Sequence, residues 1–156
     1  MNEKPEGGCS CGAVRYRLES APMYVHCCHC TTCQTETGSA FVINLLVESD
    51  RVTTMKGEAI AVMTPSESGS GQQIWRCPEC RVALWSNYGG AADKLRFVRG
   101  GTLDKPGAFT PDVHIFTRSK LPWVRLPEGA HAFEAYYDSA TLWPEESLAR
   151  RKAVFG

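Results

Sequence analysis

No apolar run in this 156-residue chain approaches the roughly 20 residues that a membrane-spanning helix requires. Charge of one sign is missing as well: 17 Lys and Arg balance 17 Asp and Glu, leaving no basic excess to draw the protein to nucleic acid. Neither a membrane role nor a nucleic acid partner is therefore expected. The opening residues, Met1-Asn2-Glu3-Lys4-Pro5-Glu6, contain no apolar core of a secretory signal, so a cytoplasmic location is the expectation. Internal repeats are absent, which removes solenoids and propellers. Extended helical periodicity is scarce.

What is present suits a soluble globular protein, with 43% hydrophobic and 22% charged residues. The length fits a single domain over 1–156, with a core at about 7–137 and a helical tail at 139–156. Strand signals dominate. Val14, Tyr16 and Leu18 alternate with Arg15 and Arg17, the period-two pattern of a half-buried strand. Further β-like runs cover 23–27, 41–48, 52–56, 59–64, 73–76, 82–87, 95–99 and 113–116, punctuated by glycine-rich turns. Such a series predicts a mainly β fold of short antiparallel strands. Ser66–Gly71, small and polar throughout, is the expected mobile loop. The convincing helix is C-terminal: Pro144 suits its first turn, Glu145 and Glu146 favour its positive end, and Arg150, Arg151 and Lys152 favour its negative end. Their charges read as a solvated face. A shorter helical turn is expected around Thr31 to Thr35.

The eight cysteines divide into two sets. In a reducing compartment, close-spaced cysteines indicate metal binding or catalysis rather than disulfides. Cys9 with Cys11 and Cys77 with Cys80 are two hooks that would jointly fill a tetrahedral zinc, a closed and therefore structural site. Cys28, Cys30 and Cys33 form a compact run whose three thiolates would leave one metal position open for chemistry. Cys27 would point the other way along its strand, as a core thiol. His29 has three readings: a fourth ligand, a general acid or base, or a satisfied surface imidazole. Thr31, Thr32, Gln34 and Thr35 are candidates to hydrogen-bond sulfur or substrate.

Three anionic sulfurs make a poor Lewis acid but a good holder of a soft ligand. A thiol bound there loses its proton and meets an electrophile as thiolate. The expected chemistry is addition of a thiol to a small electrophile, or its reversal.

These residues resemble the glutathione-dependent formaldehyde-activating enzyme family, which includes the centromere-protein-V-like proteins. The resemblance rests on Gly8-Cys9-Ser10-Cys11-Gly12, on Cys28-His29-Cys30-Thr31-Thr32-Cys33, and on Cys77-Pro78-Glu79-Cys80 with Leu84-Trp85. Gly101-Thr102-Leu103-Asp104, His114-Ile115-Phe116, Ser119-Lys120 and Trp123 extend it. It implies a β-tent fold, shared with a zinc-bound exchange-factor-like chaperone. It implies a structural zinc at Cys9, Cys11, Cys77 and Cys80 and a catalytic zinc at Cys28, Cys30 and Cys33. It also implies a carbon–sulfur lyase activity joining a small thiol, glutathione in the name-giving reaction, to formaldehyde, giving S-(hydroxymethyl)glutathione. Two departures stand out: Gln34 replaces the family's frequent Arg, and Arg81 replaces its frequent Gly. Arg81 is tolerable where no positive φ is needed. The rival readings are a non-catalytic zinc-binding interaction module and a thiol or metal sensor.

Other residues carry two readings each. His114 is either substrate-facing or a structural histidine. Arg96 and Arg99 either meet a carboxylate or decorate an exposed strand face. Trp75, Trp85, Trp123 and Trp143 are expected in core or cleft walls.

Overall fold

Alternation at Arg15–Leu18 produces a strand with Tyr16 and Leu18 buried and both arginines half-exposed. The computed structural model describes residues 3–91 and 93–155. In chain order its strands are β1 (Glu6–Gly8), β2 (Arg15–Leu18), β3 (Tyr24–Cys28), β4 (Val42–Glu48), β5 (Val52–Lys56) and β6 (Ile60–Thr64). There follow β7 (Gln72–Arg76), β8 (Ala83–Tyr88), β9 (Leu95–Arg99), β10 (Val113–Ile115) and β11 (His131–Ala132). The helices are α1 (Thr31–Thr37) and α2 (Glu145–Phe155). The expected mainly β class, with antiparallel strands and a short C-terminal helix, is borne out.

Two sheets form, a small one ordered β1-β2-β5 and a large one ordered β11-β10-β3-β4-β9-β8-β7-β6. Pairing is antiparallel except at β10, which runs parallel to both β3 and β11. Gly7 lets β1 approach closely: a Cβ there would lie 2.5 Å from the Thr102 carbonyl oxygen. The large sheet has two apolar faces. Val25, Leu45, Val47, Leu84 and Val98 share a core with Tyr16, Leu18 and Val52 of the small sheet. On the opposite face, Tyr24, Cys28, Val42, Leu46, Leu95 and Ile115 pack with Trp143 from the segment leading into α2.

The tail is tied down by specific contacts. Trp143 stacks on Tyr24 and donates from Nε1 to the Tyr137 hydroxyl at 2.7 Å. Ser147 donates to the Met23 carbonyl at 2.6 Å. Arg150 grips buried Glu48 with two hydrogen bonds, 2.8 and 2.6 Å. The expected solvated face is corrected at this residue. Trp123 departs from expectation too, being 70% exposed, whereas Trp85 and Trp143 are buried. Among the described residues no helix is long and apolar enough to cross a membrane.

Candidate functional site

Each cysteine hook turns through a left-handed residue directly after its second cysteine. Gly12 follows Cys11 with φ 78°, and Arg81 follows Cys80 with φ 68°. Gly12 donates to the Cys9 carbonyl at 3.3 Å, and Arg81 donates to the Cys77 carbonyl at 3.0 Å. The position of Arg81 therefore does need a positive φ, which an L-residue adopts only at a cost. The hooks meet: the sulfurs of Cys9, Cys11, Cys77 and Cys80 all lie within 4.8 Å of one another. Cys9 to Cys11 is 3.6 Å and Cys11 to Cys77 is 3.7 Å. Zinc–thiolate bonds of about 2.3 Å in a tetrahedron put sulfurs about 3.8 Å apart, so this group fits such an ion. The Val14 N–H donates to Cys9 Sγ at 3.3 Å, and the Glu79 N–H to Cys77 Sγ at 3.4 Å. The Val82 and Cys11 N–H groups pull the Cys80 thiol down to about 6.

The compact run closes at the junction of β3 and α1. Cys30 is the N-cap of α1, its sulfur accepting the Cys33 N–H at 3.2 Å, and Gly38 ends the helix in the left-handed conformation. Cys28 and Cys33 sulfurs are 3.5 Å apart, and all three sulfurs lie within 4.8 Å of one another. Hydrogen bonds from the Cys28 and Cys33 thiols, aided by the Cys33 and Thr32 N–H groups, pull the Cys30 thiol down to about 3. Those same contacts with Cys30 and Cys33 push Cys28 up. A stabilised thiolate beside two thiols is a donor set that suits a soft cation. All eight cysteines are free.

Strand alternation sorts the neighbours. Cys28 and His26 share one face of β3, while Cys27 lies on the other. His29 follows Cys27. It is fully buried, not on the surface, and its Nε2 lies 3.0 Å from His114 Nδ1 and 3.6 Å from Cys27 Sγ. Its ring thus joins a second cluster and does not line the pocket over the cysteine triad. Burial pushes the His29 imidazole down to about 4, with His114 and Lys120 adding to the shift.

That pocket has a volume of about 380 Å³, with Cys28, Cys30 and Cys33 in its lining. Thr32, His26, Asn44, Gln72, Tyr88, Phe97, Ile115, Phe116 and Tyr136 join them. His26 could have been found from alternation with Cys28. Gln72 and Tyr136 come from distant elements and carry no local signal. Gln34 donates to the His29 and Ser119 carbonyls, both at 2.9 Å, so its amide ties α1 to the chain after β10. Thr35 bonds back to the Thr31 carbonyl within the helix. Neither Arg96 nor Arg99 forms an exposed face or lines this pocket. Arg96 lies over the Trp85 ring at 4.4 Å, and buried Arg99 donates to Asn44 and Ser86.

Fold and site together define a mainly β protein with two cysteine clusters suited to metal, one of them opening into a pocket. The family model for glutathione-dependent formaldehyde-activating enzymes matches residues 4–119, and the chain belongs to this family. A Halomonas elongata protein, provisionally named a glutathione-dependent formaldehyde-activating enzyme, is 28% identical across 97% of this chain and 96% of its own. A solved Rhodobacter sphaeroides protein is 17% identical, with a TM-score of 0.49 over 68% of this chain and 91% of that one.

Proposed function

We propose that this protein is a zinc-dependent enzyme of the carbon–sulfur lyase type. It adds a low-molecular-weight thiol, with glutathione the reference compound, to formaldehyde or another small aldehyde, and catalyses the reverse cleavage. One observation carries the reading: three of the eight cysteines converge in a pocket, while the four-cysteine group lies outside it. Two zinc ions per chain are proposed. Cys9, Cys11, Cys77 and Cys80 would hold one for structure, and Cys28, Cys30 and Cys33 the other for chemistry. Bound to three sulfurs, zinc supplies a position where a thiol sheds its proton at neutral pH.

In the reaction the substrate sulfur bonds to the carbonyl carbon. The C=O π pair moves to oxygen, which takes up the proton released from the thiol. Atoms and charge balance without an external oxidant. The chain's contribution is to hold both reactants and exclude water. Phe97, Ile115 and Phe116 wall the pocket, and Thr32 and Tyr136 bring hydroxyls to it. Buried His26, pushed by desolvation down to about 3, is neutral at working pH and bonds the Tyr137 hydroxyl at 2.6 Å. It therefore orients the wall and brings no charge. A cytoplasmic location suits eight free cysteines.

The test is thiohemiacetal formation above the spontaneous rate, comparing the parent protein with Cys30→Ala. The parent should exceed background and the variant should fall to it, with bound zinc dropping from two equivalents to one. Rates in both that match the spontaneous one would remove the activity.

A further inference from the structure

A carboxylate taken from water without a cationic partner is costly, and glutathione carries two. Among the described residues, the lining of the pocket over the cysteine triad contains no Lys or Arg. Its one carboxylate is Glu67, whose Oε1 accepts from Arg118 Nη2 at 2.8 Å. The cation that an incoming carboxylate needs thus stands beside the pocket, occupied by the chain's own glutamate. Their side chains are 21% and 53% exposed, so water reaches the pair and it remains exchangeable.

The two partners are held very differently. Arg118 sits in a 3-10 turn, Thr117–Ser119, just after β10. The N–H groups of Phe116, Thr117 and Arg118 donate to the carbonyls of Ala135, Phe133 and Glu134 at 3.0, 3.1 and 3.4 Å. Gln34 Nε2 bonds the Ser119 carbonyl and so ties this turn to α1, which carries Cys33 and is capped by Cys30. Phe116 lines the pocket, and the Arg118 guanidinium lies 5.4 Å from its ring centroid. The backbone under the arginine is therefore fixed relative to the triad.

Glu67 rides on the loop between β6 and β7. Ser66 Oγ bonds Ser68 Oγ and accepts from the Gly71 N–H, and the Gly69 N–H donates to the Ser66 carbonyl. Gln72 Nε2 donates to the Pro65 carbonyl. All of these bonds stay within the hairpin. Among the described residues, the bond from Arg118 is the one hydrogen bond that joins 65–71 to another part of the fold. Gly69 and Gly71, at φ 83° and 81°, supply joints about which the loop can swing. Ser68 lines the pocket beside Glu67, so the loop is a flap and Glu67 its latch.

We infer that Arg118 is the carboxylate anchor of this pocket and Glu67 the internal occupant that substrate displaces. Resting on the thiol-addition reading above, the anchor selects thiols that carry a carboxylate. One carboxylate replaces another on the same guanidinium, Glu67 returns to water with its flap, and the substrate sulfur reaches the cysteine triad.

The test titrates zinc-loaded protein calorimetrically with glutathione and with its diethyl ester, in which both carboxylates are masked. Removing the latch frees the anchor, so Glu67→Gln should tighten glutathione by up to about fivefold, the worth of an exposed ion pair. Arg118→Gln should weaken it by about tenfold. Neither substitution should move the diester. Opposite signs from two partly exposed positions cannot arise from a shared loss of folding. Glutathione affinity unchanged by Arg118→Gln or not tightened by Glu67→Gln, an equal shift for the diester, or no glutathione binding by the parent would each overturn the inference. If affinity follows Arg118 but no thiol adds to formaldehyde above the spontaneous rate, the anchor stands and the thiol-addition reading falls. Turnover with affinities that ignore both substitutions has the reverse meaning.

Discussion

Arg81 occupies a left-handed position that glycine fills without strain. Its side chain is exposed and its backbone carbonyl accepts from Arg76 Nη1 at 3.0 Å, a bond that survives any substitution at 81. The left-handed conformation costs an L-residue about 1–2 kcal/mol, partly offset by the greater freedom glycine gives the unfolded chain. Arg81→Gly should therefore stabilise the protein by about 1 kcal/mol and raise its melting temperature by roughly 2–4 °C. Arg81→Ala, equally strained, should change it little. Thermal unfolding of the three proteins checks this, and a drop in melting temperature for the glycine variant would contradict it. At this scale the grouping of sulfurs within each hook and within the triad was legible, because short C-x-C and C-x-x-C spacings place them together through local geometry, whereas the hooks, 66 residues apart, meet only through the fold. The His29 ring was harder to place, since its burial comes from His114, 85 residues away. Gln72 was invisible, because only the folded sheet brings it to the pocket lining.

Among the elements, α2 is held by a buried ion pair in addition to the packing of Leu148 and Val154 and the Ser147 hydrogen bond. Arg150 and Glu48 side chains are only 14% and 5% exposed, and they meet through two hydrogen bonds. Burial acts to raise the Glu48 carboxyl, yet the hydrogen bonds and charge of Arg150 outweigh it, and the group sits below its ordinary value. Arg150→Ala would leave the buried carboxylate only its longer contact with Arg51, at 3.6 Å, so a loss of up to about 3–5 kcal/mol is expected from denaturant unfolding. A loss below about 1 kcal/mol would show that Arg51 or water takes over the pairing of Glu48. The pH dependence has a definite sign. Because the folded-state value is depressed, the contribution of Glu48 is fully present above the unfolded value of about 4.3 and is lost as pH falls through the folded one. The stability gap between the parent and Glu48→Gln should thus be constant near neutrality and shrink in acid. Strand placement was largely readable from alternation: 52–56 and 95–99 coincide with β5 and β9. The two misses have physical causes. Glycine-rich β1 exists through a close backbone approach that periodicity does not encode, and β11 is a two-residue strand held by its parallel partner β10. The ion pair joins residues 102 apart in sequence, so its arginine read as surface charge.

For the whole molecule, the two cysteine groups sit at different joints. Cys9 and Cys11 lie between β1 and β2 of the small sheet, whereas Cys77 and Cys80 lie between β7 and β8 of the large one. A metal shared by these four residues would cross-link the sheets across the core in which Cys9 and Cys77 are buried. Structural zinc in finger peptides contributes roughly 10–16 kcal/mol, comparable to the 5–15 kcal/mol of net stability of a typical domain. Cys28, Cys30 and Cys33, by contrast, span only the turn from β3 into α1 and join no second sheet. Loss of metal from the triad should therefore cost local order and activity, while loss from the hooks should cost the fold. Cys80→Ala is expected to abolish cooperative unfolding, followed by circular dichroism in denaturant, and Cys30→Ala to keep it. Progressive chelation should give two steps, the first removing thiol chemistry and the second the tertiary structure. A melting temperature unmoved after both metals are stripped would show that apolar packing alone joins the sheets.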